Sequence, residues 1–127
     1  MDDRKLLELA AKSAGIEVWF PRMNGGKNED GSRIILEPCH TWGPDKTVIV
    51  WNPLTDDGDA LRLLVKLGIE IRIIRCHPAH GNPRAEVRMK GATIVIGQSC
   101  ANNDAAYASA TRRAIVRAAA AIGEGMV

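Results

Sequence analysis

The 127-residue chain has few of the residues from which specialised sites are usually built. Aromatic residues make up only 4% of it, there are three cysteines, and the formal net charge is +2. A charge this small gives no field that would by itself attract nucleic acid or an anionic membrane. No apolar stretch approaches the roughly 20 residues that a membrane-spanning helix needs, so we expect no membrane role.

Catalytic signatures are missing as well. The chain has no glycine-rich phosphate loop before a helix, no nucleophile elbow, no metalloprotease helix motif and no paired redox cysteines. The sequence therefore predicts a protein that is not an enzyme and that needs no cofactor.

The cysteines and the N-terminus indicate a compartment. Cys39, Cys76 and Cys100 are an odd number, and the first residues contain no apolar core of a signal peptide. We therefore expect free thiols in a reducing cytoplasm.

What the chain does contain is ordinary for a globular protein. Hydrophobic residues make up 46% and charged residues 25% of the sequence. A chain of this length can bury roughly two thirds of the surface that its unfolded form exposes. We expect one domain covering residues 1–127.

Three segments carry apolar residues at helical spacing, namely residues 3–14, 54–67 and 103–123. Gly15 and Gly68 follow the first two, where a left-handed residue commonly ends a helix. Thr55 or Asp56 can cap the second helix and Asn103 the third. The second helix is apolar over more than half of its circumference, which predicts that it is largely buried.

Six short runs predict strands: residues 16–20, 33–36, 48–51, 69–76, 85–90 and 92–96. The intervening residues 37–47 contain prolines and a glycine and should be irregular, and residues 24–32 should form an exposed loop. The order is αβββαβββα. Continuously apolar strands favour burial on both faces, so we predict an α+β fold, a three-layer α/β/α sandwich around a mixed sheet.

Three stretches of this sequence carry a family resemblance. They are LLELAAKSAGIEV from Leu6, WNPLTDDGDALRL from Trp51 and ATRRAIVRAAAAIG from Ala110. They resemble small bacteriophage and prophage proteins of the phage alpha-beta-alpha sandwich domain family. The resemblance implies that fold, a phage or prophage origin, the cytoplasm of a bacterial host and an accessory role; it implies no site residues.

Arginines of the third helix are the best candidates for contact with an anionic partner. If that helix began at Thr111, Arg112 and Arg113 would lie at its positive end, where a phosphate would suit them. If it begins near Asn103, these residues and Arg117 lie mid-helix and form a solvated basic face. We favour the longer helix.

Trp42 is the second candidate for a contact residue. It lies in the stretch predicted to be irregular, so it should be the most exposed of the three tryptophans. An exposed tryptophan can stack on a base or anchor a partner. Trp51, by contrast, should fill the core beside the second helix.

One set of side chains could bind a transition metal: Cys39, His40, Cys76, His77 and His80. Zinc takes four such ligands in a tetrahedron. The spacing is unlike that of known zinc fingers, and neighbouring residues of a strand point to opposite faces. We favour buried cysteines and exposed histidines, with no metal site.

Three functions remain open at this point. The leading hypothesis is a non-enzymatic phage accessory protein that binds a host protein or a small ligand, such as a nucleotide. The alternative is binding of double-stranded RNA or DNA through the basic face of the third helix, because a helix, three strands and a helix also occur in that order in double-stranded RNA-binding domains. The third is an enzyme with a metal at the cysteines and histidines.

Overall fold

The computed structural model describes residues 2–20, 39–74, 82–89 and 95–125. These residues form three helices and two three-stranded sheets. The helices are α1 (Asp3–Ala14), α2 (Asp57–Leu67) and α3 (Asp104–Glu124). The strands are β1 (Val18–Trp19), β2 (His40–Trp42), β3 (Val48–Val50), β4 (Ile69–Ile74), β5 (Arg84–Met89) and β6 (Val95–Ser99), with a 3-10 turn at Pro44–Lys46 between β2 and β3.

Each helix starts at a side-chain cap. The Asp56 carboxylate accepts from the Asp59 amide at 2.8 Å, and Asn103 Oδ1 accepts from the Ala106 amide at the same distance. Gly15 and Gly68 end α1 and α2 with φ values of +69° and +65°. These local signals confirm the predicted caps, although α2 starts three residues later than expected.

The N-terminal sheet is built from β1, β2 and β3, in that order. Its two strand pairs are antiparallel. Thr41 of β2 is buried, and its hydroxyl donates at 2.7 Å to the carbonyl of Glu17, which directly precedes β1. β2 lies in the stretch that was expected to be irregular, and the strand predicted at residues 33–36 lies outside the described residues.

The C-terminal sheet is built from β4, β5 and β6, again with antiparallel neighbours. Glu70 pairs with Arg88 and Arg72 with Glu86 across β4 and β5. Cross-strand partners share a face of the sheet, so this face alternates carboxylates with guanidinium groups.

Helices α1 and α3 pack on each other, and α3 also covers β4, β5 and β6. The contact between the two helices is rich in alanine, which allows their backbones to approach closely. Gly123, expected to end the third helix, lies inside α3 and is buried. The rest of the core includes Trp51, Leu63, Ala85, Val87 and Ile115.

The α+β class is confirmed, but the described strands do not form the expected mixed sheet. All of their pairings are antiparallel and link strands that follow one another in the chain. Antiparallel neighbours need only a short connection, whereas a parallel pair needs a long crossover. The mixed sheet is therefore not confirmed, because apolar runs show that strands exist but not which strands pair.

Candidate functional site

A groove of about 590 Å³ lies between α2, β4 and α3. Most of its walls are aliphatic. The lining residues are Asp57, Ala60, Leu61, Leu64, Ile71, Ile73, Asp104, Tyr107, Ala108, Thr111, Arg112 and Ile115. An apolar groove of this size with a few polar groups is the usual form of a binding site.

Several large apolar side chains at this groove remain in contact with solvent. Leu61 is 60% exposed, and Ile73 across the groove is 46% exposed. Val65, one helical turn beyond Leu61, is 69% exposed. The prediction that this helix is largely buried was therefore wrong: of its apolar residues only Ala60 and Leu63 are fully buried. The apolar stripe is wider than the surface that the described neighbours cover.

Arg112 forms the polar end of the groove. Its Nε donates to the Leu54 carbonyl at 2.9 Å, and its Nη1 donates to Asp57 at 2.7 Å. The guanidinium is mostly buried, while Asp57 is largely exposed. Arg112 therefore fixes the start of α2 against α3 and holds a single orientation at the end of the groove.

The polar side chains that line the groove are Asp57, Asp104, Tyr107, Thr111 and Arg112, and its described lining contains no serine, cysteine or histidine. The Thr111 hydroxyl donates to the Tyr107 carbonyl at 2.7 Å, and the Tyr107 hydroxyl donates to Asn102 at 2.8 Å. The hydroxyl groups that line the groove are thus engaged within the chain, and the arrangement suits binding.

Arg113 and Arg117 lie elsewhere. The Arg113 guanidinium donates to Asp3 of α1 at 2.9 Å. Arg117 donates to the Gly97 carbonyl at 2.9 Å and to Gln98 Oε1 at 3.0 Å. Both line a separate cavity between α3 and its neighbours. α3 starts at Asp104, so the three arginines are mid-helix, as the longer-helix prediction requires.

Trp42 is half-exposed, as predicted, and lies on the N-terminal sheet. Its ring centroid is 4.9 Å from that of Trp19, which in turn stacks on His40 at 6.2 Å. Val48 and Val50 are the cross-strand partners of Trp42 and His40 and therefore share this face. We call these five side chains the aromatic face.

Trp42 also lines a cleft of about 530 Å³ between the N-terminal sheet and α2. Arg62 and Lys66 lie in the same cleft, and Trp51 is buried beside it as predicted. The structure thus places Trp42, Arg112 and the pair Arg113 and Arg117 at three different cavities. The predicted contact residues do not form one site.

The predicted metal ligands can be placed only in part. Cys39 is buried and His40 half-buried; Cys76, His77 and His80 lie outside the described residues. Burial, with the nearby charge of Glu8, raises the pKa of the Cys39 thiol from 9.0 to about 11. A thiol must lose its proton to bind a metal, so this environment opposes metal binding at Cys39. Within the described part of the chain, no group of three or more histidines, cysteines and carboxylates could hold a metal ion.

No pattern in the amino-acid sequence singles out the groove. Leu61, Val65 and Ile73 follow the same apolar pattern as the buried residues beside them. Only the arrangement of α2, α3 and β4 shows that these three side chains stay uncovered.

No family model, no curated protein and no solved structure matches this chain. Among the described residues, no helix combines the length and the hydropathy that crossing a bilayer would require.

Proposed function

We propose that this protein is a small phage or prophage accessory protein that acts by binding, without catalysis, and that it holds an apolar helical segment of a host protein in the groove between α2, β4 and α3. The observation that carries the proposal is the exposure of Leu61 and Ile73 on opposite walls of that groove. Apolar surface of this kind, bordered by polar groups, is typical of interaction sites.

The extent of the apolar surface favours a protein segment over a small molecule. It continues beyond the groove from Leu61 to Val65, whose Cβ atoms should be roughly 6 Å apart. An amphipathic helix presents side chains at the same spacing and can place its apolar face in a groove between helices. Arg112 and Asp57 would border the end of such a segment.

The phage family remains part of this proposal. Its support is the resemblance carried by the three stretches that begin at Leu6, Trp51 and Ala110. The three-layer arrangement that the family implies belongs to the same proposal.

The geometry gives less support to nucleic-acid binding. Arg112, Arg113 and Arg117 each donate to an acceptor within the chain. A phosphate would have to compete with the carboxylates of Asp57 and Asp3 for two of them. The electrostatic gain that drives such binding would be reduced accordingly.

Selection from a random peptide library tests the groove. The wild-type protein is the target, and the binding of selected peptides is measured by fluorescence anisotropy. We expect amphipathic peptides whose affinity falls at least about tenfold with Leu61→Glu, since a buried carboxylate would oppose the apolar contact. Val48→Glu is the matched control, because Val48 is similarly exposed but belongs to the aromatic face.

The outcomes separate the alternatives. Equal affinity of the wild type and Leu61→Glu would show that the peptides bind elsewhere and would refute the groove. A small molecule that copurifies with the wild type in native mass spectra, and is lost with Leu61→Glu, would make a small ligand the occupant instead. A salt-dependent shift on duplex RNA that disappears with Arg113→Ala would promote the nucleic-acid alternative.

A further inference from the structure

The cavity that Arg113 and Arg117 line lies between α1, β6 and α3 and has a volume of about 500 Å³. Leu6 of α1 and Gln98 of β6 form part of its walls, and Glu124 is its third charged residue. The cavity shares no lining residue with the groove between α2, β4 and α3. A ligand bound there would therefore be additional to the helical segment proposed for the groove.

The charge of Arg117 is not matched by a carboxylate in the described part of the chain. Its side chain is half-buried, and its hydrogen bonds go to neutral acceptors, the Gly97 carbonyl at 2.9 Å and Gln98 Oε1 at 3.0 Å. Arg112 and Arg113, by contrast, each donate to an aspartate. A charge that is partly withdrawn from water is costly unless an opposite charge accompanies it. An anion in the cavity would supply this missing counter-charge.

The same two hydrogen bonds fix the guanidinium of Arg117 in one orientation. Both use Nη1, so the edge formed by Nε and Nη2 has no acceptor among the described residues. Such an edge presents two parallel N–H groups, the geometry with which arginine binds a carboxylate or a phosphate through two hydrogen bonds. Arg113 lies one helical turn before Arg117 on the same side of α3 and adds a second positive charge to the cavity.

We propose that this cavity binds a small molecule through a carboxylate or phosphate group, which Arg117 holds on its Nε and Nη2 edge. The volume of the cavity is within the usual range for small-molecule sites. Glu124 limits the charge of the ligand, because it lies roughly 10 Å further along α3 and would repel a second anionic group there. A ligand with one anionic end fits this arrangement, whereas a nucleic acid, with a charge on every nucleotide, does not.

Titration of the full chain with inorganic phosphate and with acetate, followed in proton–nitrogen NMR spectra, tests the site. The Nε–H signal of Arg117 reports the contact directly. We expect this signal to shift and to saturate with either anion, while sodium chloride holds the ionic strength constant so that general screening does not change. Phosphate and acetate represent the two sources of the anionic group, and the one that binds more tightly identifies the class of ligand.

Ala121→Glu is the sharpest variant, because it leaves Arg117 in place. Ala121 is exposed, lines the cavity and lies one helical turn after Arg117, so a glutamate at this position can pair with the guanidinium. This internal carboxylate should lower the affinity for both anions at least about tenfold. Ala121→Gln is the matched control, since its side chain has the same size but no charge, and it should bind within about twofold of the wild type.

The outcomes decide the proposal. Absence of a saturable shift at Arg117, or equal affinities of Ala121→Glu and Ala121→Gln, would overturn it. Binding of duplex RNA that is tighter than that of phosphate and is lost with Ala121→Glu would make a nucleic acid the ligand and would overturn it too. Leu61→Glu, which alters the groove, should bind both anions like the wild type, so failure of the groove and failure of this cavity are distinguishable.

Discussion

Gly123 of α3 lies directly against the backbone of Leu9 in α1. A Cβ atom at position 123 would overlap the Leu9 carbonyl oxygen and lie 2.8 Å from the carbonyl carbon. A backbone cannot move aside as the end of a flexible side chain can. The close approach of α1 and α3 thus depends on the absence of a side chain at this position.

Gly123→Ala should therefore destabilise the protein, although alanine normally favours a helix by about 0.5–1 kcal/mol over glycine. The added methyl must push α1 and α3 apart, and overpacking of this kind costs roughly 1–3 kcal/mol. The free energy of unfolding in urea measures the effect. Gly125→Ala is the control, because a Cβ there meets nothing closer than 3.6 Å. Equal stability of Gly123→Ala and the wild type would contradict the close packing.

Replacement of Asp59 by alanine should destabilise the protein much more than replacement of Arg62 by alanine. Asp59 is buried and accepts from the Asn52 amide at 3.0 Å and from Arg62 at 2.6 Å. Asp59→Ala leaves the Asn52 amide without its acceptor, at a cost of about 1–3 kcal/mol. Arg62 is largely exposed, so Arg62→Ala should cost less than about 1 kcal/mol. Equal losses in thermal or urea unfolding would show that the ion pair, and not the amide contact, holds Asp59.

The Cys39 thiol should make stability fall in alkaline solution. Its pKa is raised to about 11 in the folded chain by burial and by Glu8. The unfolded chain therefore releases this proton first as the pH rises through 9. From there the free energy of unfolding falls by up to about 1.4 kcal/mol per pH unit, until the pH reaches the pKa of the thiol in the folded chain. Urea unfolding between pH 8 and 11 measures the slope.

Cys39→Ala is the reference for that experiment, because other groups also titrate in this range. The variant is less stable throughout but should show a shallower slope from pH 9 to 11. Alkylation at pH 8 gives a second readout, since Cys39 should react only after unfolding. Rapid modification of Cys39 in the folded protein would be inconsistent with its burial.

Leu61 and Leu63 lie two positions apart on α2 and should respond differently to truncation. Leu63 is fully buried, so Leu63→Ala should cost about 2–5 kcal/mol. Leu61 faces solvent, so Leu61→Ala should change stability by no more than about 0.5 kcal/mol. If Leu61→Ala were as damaging as Leu63→Ala in urea unfolding, the groove would be closed in solution.

Local features of the fold could be predicted from the sequence, because they depend on neighbouring residues. The caps at Asp56 and Asn103 and the left-handed glycines at 15 and 68 all follow from short-range backbone chemistry. The hairpin strand β2 was missed because prolines and a glycine around it indicate irregular chain, whereas its pairing with β3 decides its structure. The β-propensity of individual residues has less influence on secondary structure than such pairing with a neighbouring strand.

The candidate site was predicted less well, for a related reason. Periodicity shows which side of α2 is apolar but not whether another element covers it, so Leu61 and Val65 were expected in the core. The exposure of Trp42 and the mid-helix position of the three arginines were both predicted correctly. The separation of Trp42 from the arginines could not be predicted, because it depends on the position of α3 relative to both sheets.

The alternating charges across β4 and β5 also protect the hairpin from misalignment. In the observed pairing, Glu70 and Arg72 face Arg88 and Glu86. A slip of two residues in one direction would set Glu70 against Glu86 and Arg72 against Arg84; the opposite slip would set Arg72 against Arg88. Such a slip keeps every apolar side chain on its proper side, so hydrophobicity alone would tolerate it. Repulsion between like charges opposes the first slip at both positions, so the charges of this face favour the observed register.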